Sequence, residues 1–347
     1  MQENKKAFCT LFDKNYLLKG LALHRSLLKH CSDFKLWILC MDDESYEFLS
    51  KLNLTNTELL KLEDFEDPEL LKVKPDRKKS EYCWTCTSSL LLYLFKNKPE
   101  LDILAYLDAD LFFYDSPLAI YNEFGNDSVM IIPHHFSPDQ VWREKKSGKY
   151  NVSMLIFRND PNSLQILNWW RRKCLDWCFD YLDNGRLGDQ MYLDDWLERF
   201  KRVYVLRNEG ANVGSWNIKK YKLIHNGKKI VVRDRQTEKD WDLIFYHFHG
   251  TALHYFFHKI IIRGESMDID LSKFIFSSYS ETLTEMLYTV RKFEKNFSAG
   301  LENNSRYIKW IVKKAVLQWV RNMLTFLREV FRASKRGKNN RLSNGNR

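Results

Sequence analysis

The sequence predicts an α/β fold: a mixed, mainly parallel sheet flanked by helices, followed by a helical, basic C-terminal extension. Three observations carry this expectation. Short apolar runs alternate with segments of helical periodicity along the first hundred residues, one run ends in two carboxylates, and positive charge collects near the C-terminal end. The 347 residues, 44% of them hydrophobic, suffice for a sizeable core.

Ala7 to Phe12 (AFCTLF) reads as the first strand, and Leu17, Leu18, Leu21, Leu23, Leu27 and Leu28 then recur at helical spacing. Lys35 to Cys40 (KLWILC) reads as a second strand, with the helix-like DESYEFLSKL behind it. This β-α-β-α rhythm implies a parallel sheet. Ser80 to Lys96 reads as a helix opened by Ser80, feeding a strand from Ile103 to Leu107 that leads to Asp108 and Asp110. Ligands on such sheets gather at the carboxyl ends of strands, where these two acids fall. Further on, Ser128 to Pro133 and Tyr150 to Phe157 read as strands, and Pro161 to Leu182 as one long helix. After LGDQMYLDDWLERF come a strand VYVL, a loop NEGANVGSWN and a single strand-like run WDLIFYHFHG. The expected division is a catalytic domain over 1–265 and an extension over 266–347. Within the extension, 303–333 reads as a basic amphipathic helix and 334–347 as a disordered tail.

The formal charge is +10, but its location matters more than its size. From residue 303 onward twelve Lys and Arg face one acid, Glu329, so the rest of the chain is close to neutral. A basic nucleic-acid surface spread over the body is thereby excluded, and no nucleic-acid partner is expected. The tail's cations, with Trp310 and Trp319 on the helix, point to an anionic membrane surface. Seven cysteines and the absence of a charged-then-apolar leader predict a reducing, cytoplasmic location, peripheral on the inner face of the plasma membrane. No run of about eighteen apolar residues is present to span a bilayer.

An uncompensated buried carboxylate costs several kcal/mol, so Asp108 and Asp110 at the end of an apolar run need a cation, a hydrogen-bond network or a chemical role. A D-x-D carried on a strand would put both side chains on one face. LDAD after an apolar strand resembles the DxD motif of GT-A (Rossmann-like) glycosyltransferases. Four further pieces resemble family 8, the glycogenin and lipopolysaccharide galactosyltransferase group. Asp13, Asn15 and Tyr16, beside Thr10 on the first strand, resemble its D-x-N-Y, and Asn151 resembles the Asn of its N-x-G strand. Asp189 and Gln190 resemble its D-Q pair, and His247 the His of its H-x-x-G.

The resemblance implies a glycosyltransferase that moves a sugar from a nucleotide diphosphate, UDP by that resemblance, to a hydroxyl of a glycan or lipid-linked glycan, in lipopolysaccharide or surface-polysaccharide synthesis. It implies Asp108, Asp110 and His247 as ligands of Mn²⁺ or Mg²⁺, with Asp108 also on the ribose. Thr10, Asp13, Asn15, Tyr16 and Asn151 would hold the donor. Asp189 and Gln190 would lie beside the anomeric carbon, with retention of configuration. A hard divalent cation suits a leaving diphosphate whose charge grows as the sugar departs.

The sequence departs from the family at two places. Leu253, His254 and Tyr255 stand where a phosphate-contacting Lys-Pro-Trp is usual, and Ser153 replaces the Gly of N-x-G, narrowing the room beside the sugar. Trp216 and Asn217 are assigned to an acceptor or diphosphate loop. The alternative is a non-catalytic GT-A-like module whose basic tail holds membrane or nucleic acid. A haloacid-dehalogenase phosphatase would need Thr or Val where Phe112 stands. Cys83, Cys86, Cys174 and Cys178 read as buried apolar residues rather than zinc ligands. His134 and His135 read as solvated loop residues, His249 as core or rim, and Asp194 and Asp195 as solvated.

Overall fold

The computed structural model describes residues 5–263 and 274–305, together with residues 308, 309, 312, 320, 323 and 324. The chain opens with β1 (Lys6–Phe12), α1 (Leu17–His30), β2 (Phe34–Cys40), α2 (Asp43–Leu52) and β3 (Thr57–Lys61). Two short helices, α3 (Leu62–Phe65) and α4 (Pro68–Val73), lead to α5 (Lys79–Asn97), β4 (Ile103–Leu107) and β5 (Leu111–Phe113). Next come α6 (Leu118–Phe124), β6 (Val129–Pro133), α7 (Glu144–Ser147), β7 (Tyr150–Arg158), α8 (Pro161–Asp176) and α9 (Trp196–Arg199). The remaining strands are β8 (Val203–Val205), β9 (Val213–Gly214), β10 (Tyr221–His225), β11 (Ile230–Asp234), β12 (Asp240–Asp242), β13 (Phe245–His247), β14 (Ala252–Phe256) and β15 (Lys259–Arg263). The helix α10 (Ile275–Arg291) follows.

The main sheet has the order β3-β2-β1-β4-β7-β6-β8. Its first four strands are parallel, β7 runs antiparallel to both β4 and β6, and β8 is parallel to β6. Because β1 pairs with β2 on one side and β4 on the other, the crossovers diverge there and leave a crevice at the carboxyl ends of β1 and β4. Strand β1 is buried on both faces: Phe8 and Phe12 enter one apolar layer, while Ala7, Cys9 and Leu11 enter the other. Helices α1 and α10 pack together under the first layer, and α5 packs against α8 under the second. Ile275, Tyr279, Leu283, Leu287 and Val290 of α10 belong to the same core as α1, so a boundary at 265 runs through that core.

Local differences from the sequence reading have identifiable causes. Helix α5 begins before Ser80, because Glu81 Oε2 reaches back to accept from Lys78 N (2.7 Å). Helix α8, capped by Asp160 on Ser163 N (2.8 Å), stops at Asp176 rather than Leu182. Beyond it Trp177, Phe179 and Tyr181 pack on one another, with Arg186 over the Trp177 ring. The run WDLIFYHFHG is two strands in different sheets, β12 beside β11 and β13 beside β5 and β9. All seven cysteines are free; Cys86 and Cys174 are wholly buried in the layer between α5 and α8. The expected helix over 303–333 falls mostly, and the tail over 334–347 wholly, outside the described residues.

Candidate active site

The apolar strand β4 carries the chain to the carboxyl edge of the sheet, where Asp108, Ala109 and Asp110 form a turn rather than a continued strand. Asp108 N donates to Ser153 O (2.8 Å), and Leu111 N donates back to Asp108 O (3.2 Å). The cause is β5, which leaves the main sheet to pair with β13, so the two carboxyls are grouped by the turn and not by strand alternation. That pairing sets His247 opposite Leu111, and Phe248 N donates to Asp110 O (2.9 Å).

His247 Nε2 thereby comes to 3.0 Å from Asp110 Oδ1 and 3.6 Å from Asp108 Oδ2. Among the described residues neither ring nitrogen of this buried imidazole has a hydrogen-bond partner of acceptable geometry. Carboxylate oxygens and an imidazole nitrogen crowded into one buried space, with the hydrogen-bonding capacity of the ring not fully used, are the donor types that hold a divalent cation. Asp110, His247 and His249 each offer a ligand atom within 4.8 Å of the others. His249 is thus drawn to the cluster, two residues along from His247 on the exposed side.

Lys19 of α1 completes the electrostatics. Its buried Nζ lies 3.7 Å from Asp110 Oδ2, donates to Thr251 O (3.3 Å) and sits 4.5 Å from the centre of the Tyr16 ring. Burial alone would raise the Asp110 carboxyl, but His247 and then Lys19 outweigh it and hold it below the usual carboxylate range. Asp108, which accepts from Tyr106 OH (3.0 Å), is instead pushed up to about 6, chiefly by burial. Burial would lower His247, yet the charge of Asp110 dominates and raises it.

A cleft of about 330 Å³ opens beside this cluster, bounded by Asp108, Asn151, Asp189, Gln190, Trp216 and His247. Asp189 follows Gly188, whose φ of +53° and close neighbour Trp84 leave little room for a side chain. The Asp189 carbonyl accepts from Trp170 Nε1 (2.9 Å), while its carboxyl Oδ2 has no hydrogen-bond partner among the described residues. Burial and then the nearby charge of Asp108 push that carboxyl up to about 8. Gln190 Nε2 donates to Ser147 O (2.6 Å), tying α7 to the cleft floor.

Asn151 accepts from Ser153 N (2.7 Å), and its amide nitrogen lies 2.9 Å from His134 Nε2. His134 is therefore not solvated: it is buried, stacked on Phe136 at 4.5 Å, and lowered to about 3, chiefly by burial. Ser153 also departs from expectation, since its hydroxyl donates to Asn212 Oδ1 (3.0 Å) beneath the cleft instead of narrowing it. Trp216 lines the cleft with its ring 5.3 Å from that of His247. Asn217 does not line it; its amide bonds His134 O (2.8 Å), Asn212 O (3.0 Å) and Gly214 N (2.9 Å) and pins the loop from behind.

At the other end, the carboxyl edge of β1, Asp13 caps the turn into α1. It accepts from Asn15 N (3.0 Å), Asn15 Nδ2 (3.0 Å) and Tyr16 N (3.2 Å), and pairs with Lys79 Nζ (2.8 Å). Thr10 is wholly buried in β1 with an unpaired hydroxyl, and Tyr16 is 41% exposed. The charge of Asp110, then burial, raises the Tyr16 phenol. The sequence reading missed Lys19, His249, Arg143 and Trp84. Lys19 carried a signal, a lone cation on a stripe of leucines; the others carried none.

No family model matches the chain. It is 32% identical over 248 residues to the uncharacterized protein YfnD of Bacillus subtilis (strain 168), covering 71% of this chain and 78% of that one. It is also 32% identical over 298 residues to the uncharacterized protein YfnF of the same strain, covering 84% of this chain and 96% of that one. Among solved structures, it matches the galactosyltransferase LgtC in complex with donor and acceptor sugar analogs. The TM-score is 0.52 at 12% identity, over 80% of this chain and 95% of LgtC. The chain therefore shares the GT-A fold of the LgtC structure, and it belongs to the family of YfnD and YfnF.

Proposed function

We propose that the protein is a glycosyltransferase that moves a sugar from a nucleotide diphosphate, UDP in the first instance, to an acceptor hydroxyl with a bound Mn²⁺ or Mg²⁺. The observation that carries this reading is the convergence of Asp110, His247 and His249 on one space at the carboxyl edge of the sheet, with Asp108 Oδ2 3.6 Å from His247 Nε2. His247 Nε2 faces Asp110 Oδ1 there at 3.0 Å, in the wall of a cleft that also holds Asp189 and Gln190. Asp108, Asp110 and His247 would hold the cation, with His249 as a fourth group. When bound, the cation offsets the charge that grows on the departing diphosphate.

The bond from the anomeric carbon to the diphosphate oxygen breaks, the bond to the acceptor oxygen forms, and the hydroxyl proton passes to the departing phosphate. Asp189 and Gln190 flank the sugar. The Asp189 carboxyl is neutral near pH 7 in the ligand-free cleft; a cation beside Asp108 and positive charge on the sugar both favour its ionised form. Retention of configuration follows if the acceptor enters from the side the diphosphate leaves. Asp13, Asn15 and Tyr16 would border the nucleoside, with Thr10 beneath them.

A costly cation site of this composition weighs against a non-catalytic module. The discriminating experiment is calorimetric titration with UDP, with and without Mn²⁺, on the wild type and Asp110→Ala. Metal-dependent binding abolished by the substitution is expected. Equal binding by both proteins, or none with any nucleoside diphosphate, would reject the reading. For the tail, the exposed helical positions Ile308, Val312, Met323 and Leu324 support a peripheral contact with an anionic membrane, where a lipid-linked surface glycan would be the acceptor.

A further inference from the structure

The segment joining β6 to β7 has a composition that the donor chemistry does not use. From Val141 to Lys149 (VWREKKSGK) it carries Arg143, Lys145, Lys146 and Lys149 against a single acid, Glu144. Among the described residues none of these four cations enters an ion pair; Lys146 lies 5.1 Å from the centre of the Trp142 ring. Val141 and Trp142 are 47% and 54% exposed. Arg143 differs from the lysines because it lines the cleft itself. A guanidinium in a cleft wall with no carboxylate of its own is a preformed site for an anion.

Position decides which anion. The segment is fastened at Ser147, whose carbonyl accepts from Gln190 Nε2 (2.6 Å), and at Lys149, whose N donates to Asp194 Oδ1 (2.8 Å). Both anchors lie on the side of the cleft that holds Asp189 and Gln190. The nucleoside end assigned to Asp13 and Tyr16 belongs to the β1–α1 turn, and the cations around it are already engaged: Lys79 by Asp13 and Asp42, Lys14 by Glu44, and Lys19 by Asp110 and Thr251 O. Arg143 and its lysines therefore border the space beyond the transferred sugar. The cleft lining is not uniformly basic: Asp180 also lines it, and its neighbour Tyr181, packed on Trp177 and Phe179, is 54% exposed. The exposed Trp142 ring beside Arg143 offers a flat apolar face for a sugar ring.

We propose that the acceptor is an anionic glycan, bearing phosphate or carboxylate groups, held by Arg143 and the lysines of 141–149 with Trp142 against a sugar face. This inference rests on the transferase reading above. Long-range attraction from the four cations would gather such a polymer at the cleft and weaken as salt rises. Arg143, the member inside the cleft, would set the position of the charged group relative to the reacting hydroxyl.

The test uses the full chain saturated with UDP and Mn²⁺, titrated with three oligosaccharide probes of matched length: glycerol-phosphate-substituted, hyaluronan and neutral dextran. Wild type is expected to bind at least one anionic probe tenfold or more tighter than dextran at 50 mM NaCl, with the preference shrinking at 300 mM. Comparison of the two anionic probes separates phosphate from carboxylate. Arg143→Gln and the triple variant Lys145→Gln/Lys146→Gln/Lys149→Gln should each lose most of that preference while their UDP affinity stays within twofold of wild type. Equal affinity for charged and neutral probes would overturn the proposal. So would a loss of UDP affinity in Arg143→Gln, which would assign the guanidinium to the diphosphate. Binding of bare phosphatidylglycerol vesicles that the triple variant abolishes, without preference among the glycans, would assign the segment to a membrane surface instead. If wild type binds no nucleoside diphosphate, the transferase reading fails first and this one with it.

Discussion

Asp189 shows most directly how burial sets the properties of this cleft. Its carboxyl titrates near 8 in the folded, ligand-free protein, against about 3.9 in an unfolded chain. The folded state therefore keeps a proton that the unfolded state has already released. Stability from this group is fully present below pH 4 and is lost as pH climbs towards 8. Asp189→Asn should flatten that loss: its melting temperature in metal-free buffer should exceed that of wild type by a margin that grows from pH 5 to pH 8, while transfer falls by a hundredfold or more. A fixed difference across that range would show that Asp189 ionises normally. Ser153 gives a contrasting case. Because its hydroxyl bonds Asn212 under the cleft, Ser153→Gly should cost about 1–2 kcal/mol in denaturant unfolding and leave donor-sugar preference unchanged. His249→Ala should weaken Mn²⁺ binding tenfold or more, whereas His258→Ala, outside the cluster, should not.

Among the elements, the turn from β1 into α1 depends on a segment distant in sequence. Gly300, at φ +75°, faces this turn so closely that a Cβ built on it would stand 2.1 Å from Asn15 O. Gly300→Ala should therefore displace Asn15 and Tyr16, lowering stability by about 2 kcal/mol or more and weakening nucleotide binding more than Mn²⁺ binding alone. A matched loss of both would place the damage in the whole fold. Helix α8 provides the control: Asp160→Ala removes its cap and the hydrogen bond from Ser128 Oγ (2.7 Å), remote from the cleft. It should cost roughly 1 kcal/mol with donor affinity intact.

At the scale of the molecule, α10 is part of the core while the basic segment beyond Ser305 contributes charge. Truncation after Ser305 should keep a cooperative melting transition and Mn²⁺-dependent UDP binding, yet abolish sedimentation with phosphatidylglycerol vesicles. Truncation before α10 should unfold the protein, since Tyr279 and Leu283 fill the layer under α1. The elements β1, α1, β2, α2, α5 and β4 were legible from the chain because hydrophobic period is a local property: Phe8 and Phe12 against Cys9 and Leu11, or the leucines of α1, reveal their faces without reference to any partner, whereas the short, half-buried β3, α3 and α4 were not read. The acids at the end of β4 announced a site for the same reason, since charge after an apolar run is visible in ten residues. Which groups meet those acids was not local. His249 joins Asp110 because β13 happens to pair with β5, Lys19 reaches Asp110 because α1 packs beneath that turn, and Ser153 faces away from the cleft because Asn212 stands behind it. The break in WDLIFYHFHG follows the same rule. A strand joins whichever neighbour offers open hydrogen bonds, and that neighbour is chosen by packing across the whole chain.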